Sequence, residues 1–338
     1  MERLFSLRSL SIIGMGKNTG KTSFLNLLLK EAGKSHPDKV MAVTSIGRDG
    51  EERDLVTRTE KPRVYVLEGT LVATSEELLN KCDVTKEIIE ITGIRSSLGR
   101  EVIFRELSDG CVEIAGPSRG SDLAHSEKTV KDLEEGCLFI VDGALSRMSS
   151  ASKTDGAVLC TGASISHDHQ VIFEKTMHAL SLLMLRKTEI ELPQAEGRAF
   201  LKNGEVWKEV EGNIALSIGR EICGQITEST SVIYIKGAVT DRLVGDFLSS
   251  RDFRNLSLIA GDGTQFLMSI ETLEKLSARG ITLEVASEIE VKMLMVNPYD
   301  PNGVEADFKA LLLKLSSELE LPVYSLEEMK GEERNDVF

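Results

Sequence analysis

Short apolar runs alternate along this chain with segments whose apolar positions recur every three to four residues, the pattern of a parallel sheet wrapped by helices. The spacing predicts strands over 10–14, 40–44, 63–67, 70–74, 101–107, 112–115, 137–142 and 156–161, and helices over 22–32, 75–81, 86–92 and 170–186. The stretch 63–115 is strand-rich, which implies antiparallel additions to a parallel core. After Leu192-Pro193 the pattern resets with a hairpin over 199–202 and 205–210 turned at Asn203-Gly204. Strands over 232–236, 258–261, 282–285 and 291–296 then alternate with helices over 241–249, 264–278 and 304–319. The fold class is therefore read as α/β. It has a first region over 1–190 and a βα region over 191–330 that either completes the first sheet or forms its own layer. A polar tail over 331–338 is expected to be mobile.

The strongest chemical signal lies between the first strand and the first helix. Residues 14 to 22 read Gly-Met-Gly-Lys-Asn-Thr-Gly-Lys-Thr. A glycine-rich turn at the end of a strand aims backbone N–H groups at phosphate oxygens, and the following helix presents the positive end of its dipole. Lys21 adds a full charge, and the Thr22 hydroxyl is of the type that ligates Mg²⁺. The candidate phosphate-binding set is Gly14, Gly16, Lys17, Asn18, Thr19, Gly20, Lys21, Thr22 and Ser23. The alternative is a purely structural glycine turn, but three glycines within seven positions, set between a strand and an amphipathic helix, favour nucleotide binding.

The loop departs from G-x-x-x-x-G-K-[ST], which requires glycine where Met15 stands. Counted from Gly14 it is one residue longer, and in this it resembles the loop of dethiobiotin synthetase. The run Lys17-Asn18-Thr19-Gly20-Lys21-Thr22 is similar to that of the MobB-type nucleotide-binding proteins. Both resemblances point to the P-loop NTPase class, and so imply a parallel sheet with helices on both faces. In MinD-type members of that class a signature lysine reaches a phosphate across a dimer. It stands five places before the second lysine, where this chain has Gly16, so Lys17 is read as solvent-exposed or as a local phosphate contact.

Composition narrows the partners. The 338 residues carry 54 acidic and 40 basic side chains, a net charge of −14, with no basic cluster interleaved with aromatics, which argues against nucleic acid. A hydrophobic content of 41% is enough for a substantial core. The longest apolar stretch falls short of a membrane span, and the N-terminal run leads into the glycine loop rather than a cleavage site. A cytoplasmic location is expected. Cys82, Cys111, Cys137, Cys160 and Cys223 show no C-x-x-C spacing and are read as free thiols, without disulfide or metal.

A phosphate loop needs acidic partners for Mg²⁺. Asp142 ends the apolar run that begins at Cys137, which delivers a carboxylate at the C-terminal edge of a strand, where open α/β sheets bind ligands. The alternative is a turn at Asp142-Gly143. Asp49, after the second strand in Ser45-Ile46-Gly47-Arg48-Asp49-Gly50, is the second Mg²⁺ candidate, with ordinary turn chemistry as its alternative. Arg48 beside it either holds a phosphate or pairs with Glu51 or Glu52. The segment from Glu113 to Asp122 joins a strand carboxylate to a Gly-Pro-Ser turn, either as a γ-phosphate sensor or as a plain connection. Catalytic roles are thus assigned to Lys21, Asp142 and Asp49, and Mg²⁺ ligation to Thr22, Asp142 and Asp49.

Other motifs carry less. His167-Asp168-His169 lacks a third metal ligand and reads as a helix start. Asn297-Pro298-Tyr299-Asp300-Pro301 follows an apolar strand, where such sheets contact a base or another ligand, but two prolines also suit a rigid turn. Gly261-Asp262-Gly263-Thr264 joins a strand to a helix and is a candidate anion site. No Asn-Lys-x-Asp guanine-reading motif is present, which favours ATP over GTP.

Longer stretches carry a further resemblance: 44–50, 61–66, 82–87, Leu107-Ser108-Asp109-Gly110 and Ala115-Gly116-Pro117-Ser118. They look like the P-loop subunits of reactivating factors for the adenosylcobalamin-dependent lysine 5,6-aminomutase. That resemblance implies an ATP- and Mg²⁺-dependent, chaperone-like NTPase. Such a protein works with the aminomutase and a second reactivase subunit to exchange damaged cobalamin for intact cofactor. Alternatives are a small-molecule ATP-dependent ligase or kinase of the dethiobiotin synthetase type, or a nucleotide-binding metallochaperone, and a homo-oligomer remains open.

Overall fold

Every residue of Ser9–Gly14 (β1) is buried, as is every residue of Met41–Ser45 (β2). Strands apolar on both sides are the requirement of a sheet covered on both faces. The computed structural model describes residues 1–46, 63–96, 98–117, 119–144, 153–211, 218–249, 253–300 and 308–329. The chain forms two units, Met1–Met177 with Glu290–Phe338, and His178–Ile289.

In the first unit, α1 (Glu2–Phe5) precedes β1, which leads to α2 (Lys21–Ser35) and β2. Then follow β3 (Val64–Val66), β4 (Leu71–Ser75), β5 (Lys86–Ser96), β6 (Gly99–Glu106), β7 (Gly110–Val112), α3 (Gly120–Leu133), β8 (Leu138–Ala144), β9 (Ala157–Gly162) and α4 (His169–Leu183), the last running across the unit boundary. The second unit holds β10 (Ala199–Asn203), β11 (Val206–Glu209), α5 (Ile218–Cys223), β12 (Thr230–Ile235), β13 (Val239–Thr240), α6 (Asp241–Leu248), β14 (Ser257–Ala260), β15 (Phe266–Leu267), α7 (Ile270–Ala278) and β16 (Thr282–Val285). The chain then returns to the first unit with β17 (Val291–Asn297), α8 (Lys309–Glu318) and β18 (Val323–Ser325).

The main sheet has nine strands in the order β18-β17-β9-β1-β8-β2-β4-β6-β5. From β18 to β4 every pairing is parallel, and β6 and β5 are antiparallel additions. Leu10, Ile12, Leu138, Ile140, Val158 and Phe104 share one cluster with Phe24, Leu25 and Leu28 of α2. Alternate residues Ile13, Phe139, Leu159 and Ile103 are just as buried on the opposite face. The protein is thus α/β with a large mixed sheet.

Several expected elements differ. The helix expected over 86–92 is the edge strand β5. Its register shifts between Ile88 and Glu90 and between Ile91 and Arg95, so bulges break the two-residue alternation into spacings that imitate a helix, while β-branched isoleucines favour the strand. The helix expected over 264–278 starts only at Ile270, because Ser269 caps it by accepting from Thr272 N–H, and Phe266–Leu267 pairs with Val239–Thr240. Residues Glu76–Lys81 form a 3₁₀ helix. In place of a strand over 112–115, β7 ends at Val112. The hairpin turns at Gly204-Glu205, one residue later than expected, since Asn203 pairs with Val206 and Gly204 takes φ +58°.

The second unit has its own sheet, β11-β10-β12-β14-β16, in which β12, β14 and β16 are parallel. Leu201, Ile233, Val244, Phe247, Phe253 and Leu258 form its core.

Candidate functional site

β1 is the central strand of the parallel set, flanked by β8 and β9. Its last residue, Gly14, leads into the loop at the C-terminal edge of the sheet. Met15 N–H donates to the Cys160 carbonyl at 3.0 Å, which ties the loop entry to β9. Thr19 is fully buried, and its hydroxyl donates to the Gly16 carbonyl at 3.1 Å, closing the turn from inside. Asn18 and Gly20 take left-handed backbone, φ +59° and +88°. Lys17 and Asn18 are exposed at the apex.

The lysine is folded back over the loop. A Cβ built on Gly14 would lie 2.6 Å from Cδ of Lys21, 2.7 Å from its Nζ and 2.7 Å from Oγ1 of Thr19. Only a residue without a side chain leaves room for the ammonium above the end of β1. Helix α2 starts at Lys21, with Gly20 as its N-cap and no side chain capping it, and its first turn holds no acid. Its first N–H groups therefore receive no capping side chain from Gly20, and together with Lys21 they gather positive charge at the end of β1.

Asp142 stands on β8, in register with Ile12 of β1 and Ser45 of β2, and is buried. Its carbonyl accepts from Ile46 N–H at 3.0 Å. Cys160 lies on β9, across β1 from Asp142, and feels both charged groups. Burial pushes its thiol up to about 12, while Lys21 favours the thiolate and Asp142 opposes it. The structure therefore brings Gly14, Gly16, Lys17, Asn18, Thr19, Gly20, Lys21, Thr22 and Ser23 to one edge with Asp142. Asp49 and Arg48 lie outside the described residues.

Residues 113–117 cross the ends of β2 and β4 as a strap stitched by hydroxyls. Thr74 donates to the Glu113 carbonyl and accepts from Ala115 N–H, and Ser75 donates to the Ala115 carbonyl. Ser45 donates to the Ile114 carbonyl and accepts from Gly116 N–H. A Cβ on Gly116 would fall 2.0 Å from the Ser45 carbonyl oxygen, so this close crossing needs glycine. The strap feeds α3, a helix the sequence pattern did not reveal because only Leu123, Ser126 and Val130 of its fourteen residues are buried.

Asn297, from the end of β17, joins the site in a way the sequence reading missed. Its Nδ2 donates to the Asn18 carbonyl at 3.0 Å and to the Tyr299 carbonyl at 3.3 Å, and its Oδ1 accepts from Tyr299 N–H at 3.3 Å. The signal available in the sequence was an asparagine closing an apolar strand before proline. It did not reveal which loop the amide would meet.

The remaining motifs serve local structure. His167 pairs with Asp300 at 3.2 Å, and Asp168 accepts from Gln170 N–H at the start of α4. Among the described residues no group of three or more His, Cys, Asp or Glu is placed to hold a metal, and the five cysteines are free. At Gly261-Asp262-Gly263-Thr264, the Thr264 N–H and hydroxyl donate to Asp262, and Gly261 N–H donates to Gln265. The Gly261 and Thr264 donors are thus engaged within the turn, which also holds the buried carboxylate of Asp262. No described helix is long and apolar enough to cross a membrane. No family model matches the chain, and neither the curated proteins nor the solved structures compared with it give a match.

Proposed function

We propose that the loop from Gly14 to Ser23 binds the phosphate tail of a nucleoside triphosphate, ATP rather than GTP, with Mg²⁺, and that the protein is an NTPase. The observation that carries this reading is the Lys21 side chain folded over Gly14 at a helix start without a capping side chain, one strand from the buried carboxylate of Asp142. The loop amides and Lys21 hold phosphate oxygens, and the Thr22 hydroxyl and Asp142 hold the metal, directly or through water. A bound Mg²⁺ supplies charge neutralisation on the β- and γ-phosphates. Ser45, in register with Asp142 and bonded to the strap, links the metal side of the site to residues 113–117 and α3. Such a coupled segment suits a switch that spends nucleotide binding energy on conformational change rather than on a covalent intermediate.

The output of that switch is proposed from the sequence resemblance: chaperone-like reactivation of an adenosylcobalamin-dependent aminomutase, together with a second subunit. Lys21→Ala is the direct test of the loop. Loss of Mg-ATP binding in a variant with an unchanged melting profile supports the reading, and wild-type affinity in that variant refutes it. Hydrolysis that rises only on addition of the aminomutase supports the switch, whereas turnover with a metabolite alone replaces it with a ligase or kinase.

A further inference from the structure

Asn297 is 6% exposed and is fixed at both its backbone and its side chain. Its carbonyl accepts from Ala163 N–H at 2.9 Å, just past the end of β9, where a Cβ on Gly162 (φ +152°) would lie 2.0 Å from that oxygen. Its amide meets two acceptors, the carbonyls of Asn18 and Tyr299, and one donor, the Tyr299 N–H, so the network sets which end of the amide points at the loop. Both Nδ2 hydrogens are committed. The flank of the side chain also touches the loop, since a Cβ on Gly20 would be 3.0 Å from Cβ of Asn297 and 3.2 Å from its Cγ.

The two loop residues it contacts are the two with left-handed backbone. Asn18 holds left-handed backbone, which asparagine tolerates better than most L-residues, and a bond that fixes its carbonyl favours that conformation over the alternatives open to the chain. The nearest strand, β1, ends before this point. Asn297 reaches past the end of β9 to supply that bond, from 279 residues away in sequence.

We infer that Asn297 is a positioning residue for the phosphate loop: it holds the apex in its phosphate-binding shape through the Asn18 carbonyl, and does not read the base. This rests on the loop being a triphosphate site. The consequence is that a ligand without any base must sense its loss as strongly as ATP does.

Affinities for Mg-ATP, Mg-GTP and Mg-tripolyphosphate are measured by titration calorimetry on the full chain and on Asn297→Ala and Asn297→Asp. Loss of one such hydrogen bond weakens binding about tenfold. The expected result is the same factor for all three ligands, with Asn297→Asp at least as impaired because a carboxylate faces the Asn18 carbonyl. Asn18→Gly keeps the backbone carbonyl that Asn297 bonds but frees the backbone at this exposed position, so the effect of Asn297→Ala should be at least as large in this background. Nucleotide affinity lost with tripolyphosphate binding intact would make Asn297 a base contact and overturn the inference, as would unchanged affinity for all three. A wild-type chain that binds none of them removes the triphosphate reading itself.

Discussion

Glu106 and Lys86 stand directly opposite each other across β6 and β5, yet they form no ion pair. The Glu106 carboxyl is fully buried and neither oxygen has a hydrogen-bond partner, while the Lys86 ammonium donates to the carbonyls of Cys82 and Val84 and lies 5.8 Å from the Phe104 ring centre. Burial raises the acid from 4.5 to about 7, against the pull of Lys86. The folded chain therefore holds a proton that the unfolded chain releases above 4.5, so stability falls as pH rises from there through 7. Glu106→Gln keeps the shape without the charge. Its melting temperature should exceed that of the wild type at about pH 8, by an amount worth at most about 3 kcal/mol, with little difference at about pH 4.5. Equal melting curves at the higher pH would contradict the burial of an ionised group.

The parallel core was legible in the sequence because strands such as β1 and β9 are apolar on both sides and bounded by glycine, which leaves few alternatives. The glycine turn between β1 and α2 was legible because its strand, loop and helix are contiguous in sequence. Elements shaped by distant partners were not. Strand β5 looked helical because bulges shift its register against β6, and α3 went unseen because Ser126 takes the middle of its buried stripe. Asn297 shows the same limit at the site. Its neighbour Asn18 is 279 residues away in sequence, and no local pattern encodes that meeting.

Gly14→Ala tests whether the folded-back lysine is what the glycine is there to admit. The new methyl group would meet Lys21 and Thr19 within 2.7 Å, so the lysine must swing out or the Thr19 turn must open. Both responses disturb the loop, whereas the backbone at Gly14 does not require positive φ. Mg-ATP affinity should fall by at least about tenfold while the fold remains intact. Calorimetry with circular dichroism separates the two effects. Gly16→Ala is the control, because its Cβ would meet only the Thr19 methyl at 3.9 Å, and its effect on affinity should be smaller.

Ser45→Ala addresses the strap. The Ser45 hydroxyl accepts from Gly116 N–H at 3.2 Å and donates to the Ile114 carbonyl at 3.3 Å, so alanine removes the partner of both backbone groups. Leaving a buried polar group unpaired costs about 1–3 kcal/mol. A lowered melting temperature is expected, with the amides of residues 113–116 exchanging faster than those of β1. Uniform exchange protection in the variant would show that the strap is held by packing and not by its hydroxyl stitches.

Thiol reactivity gives a reading of the interior without any ligand. Burial pushes the thiols of Cys82 and Cys137 up, and that of Cys160 to about 12, so none of these three presents a reactive thiolate near neutral pH. Cys223 is half-buried, its thiol donates to the Asp246 carbonyl, and burial raises it as well. Cys111 is half-buried on the short strand that pairs with β3. Brief alkylation at about pH 8 followed by peptide mapping should label Cys111 first and Cys223 more slowly, with Cys160 labelled only after denaturation. Prompt labelling of Cys160 in the folded chain would mean that the space between β9, Lys21 and Asp142 admits solvent, and that the loop entry at Met15 is not held against β9 as the hydrogen bond to the Cys160 carbonyl requires.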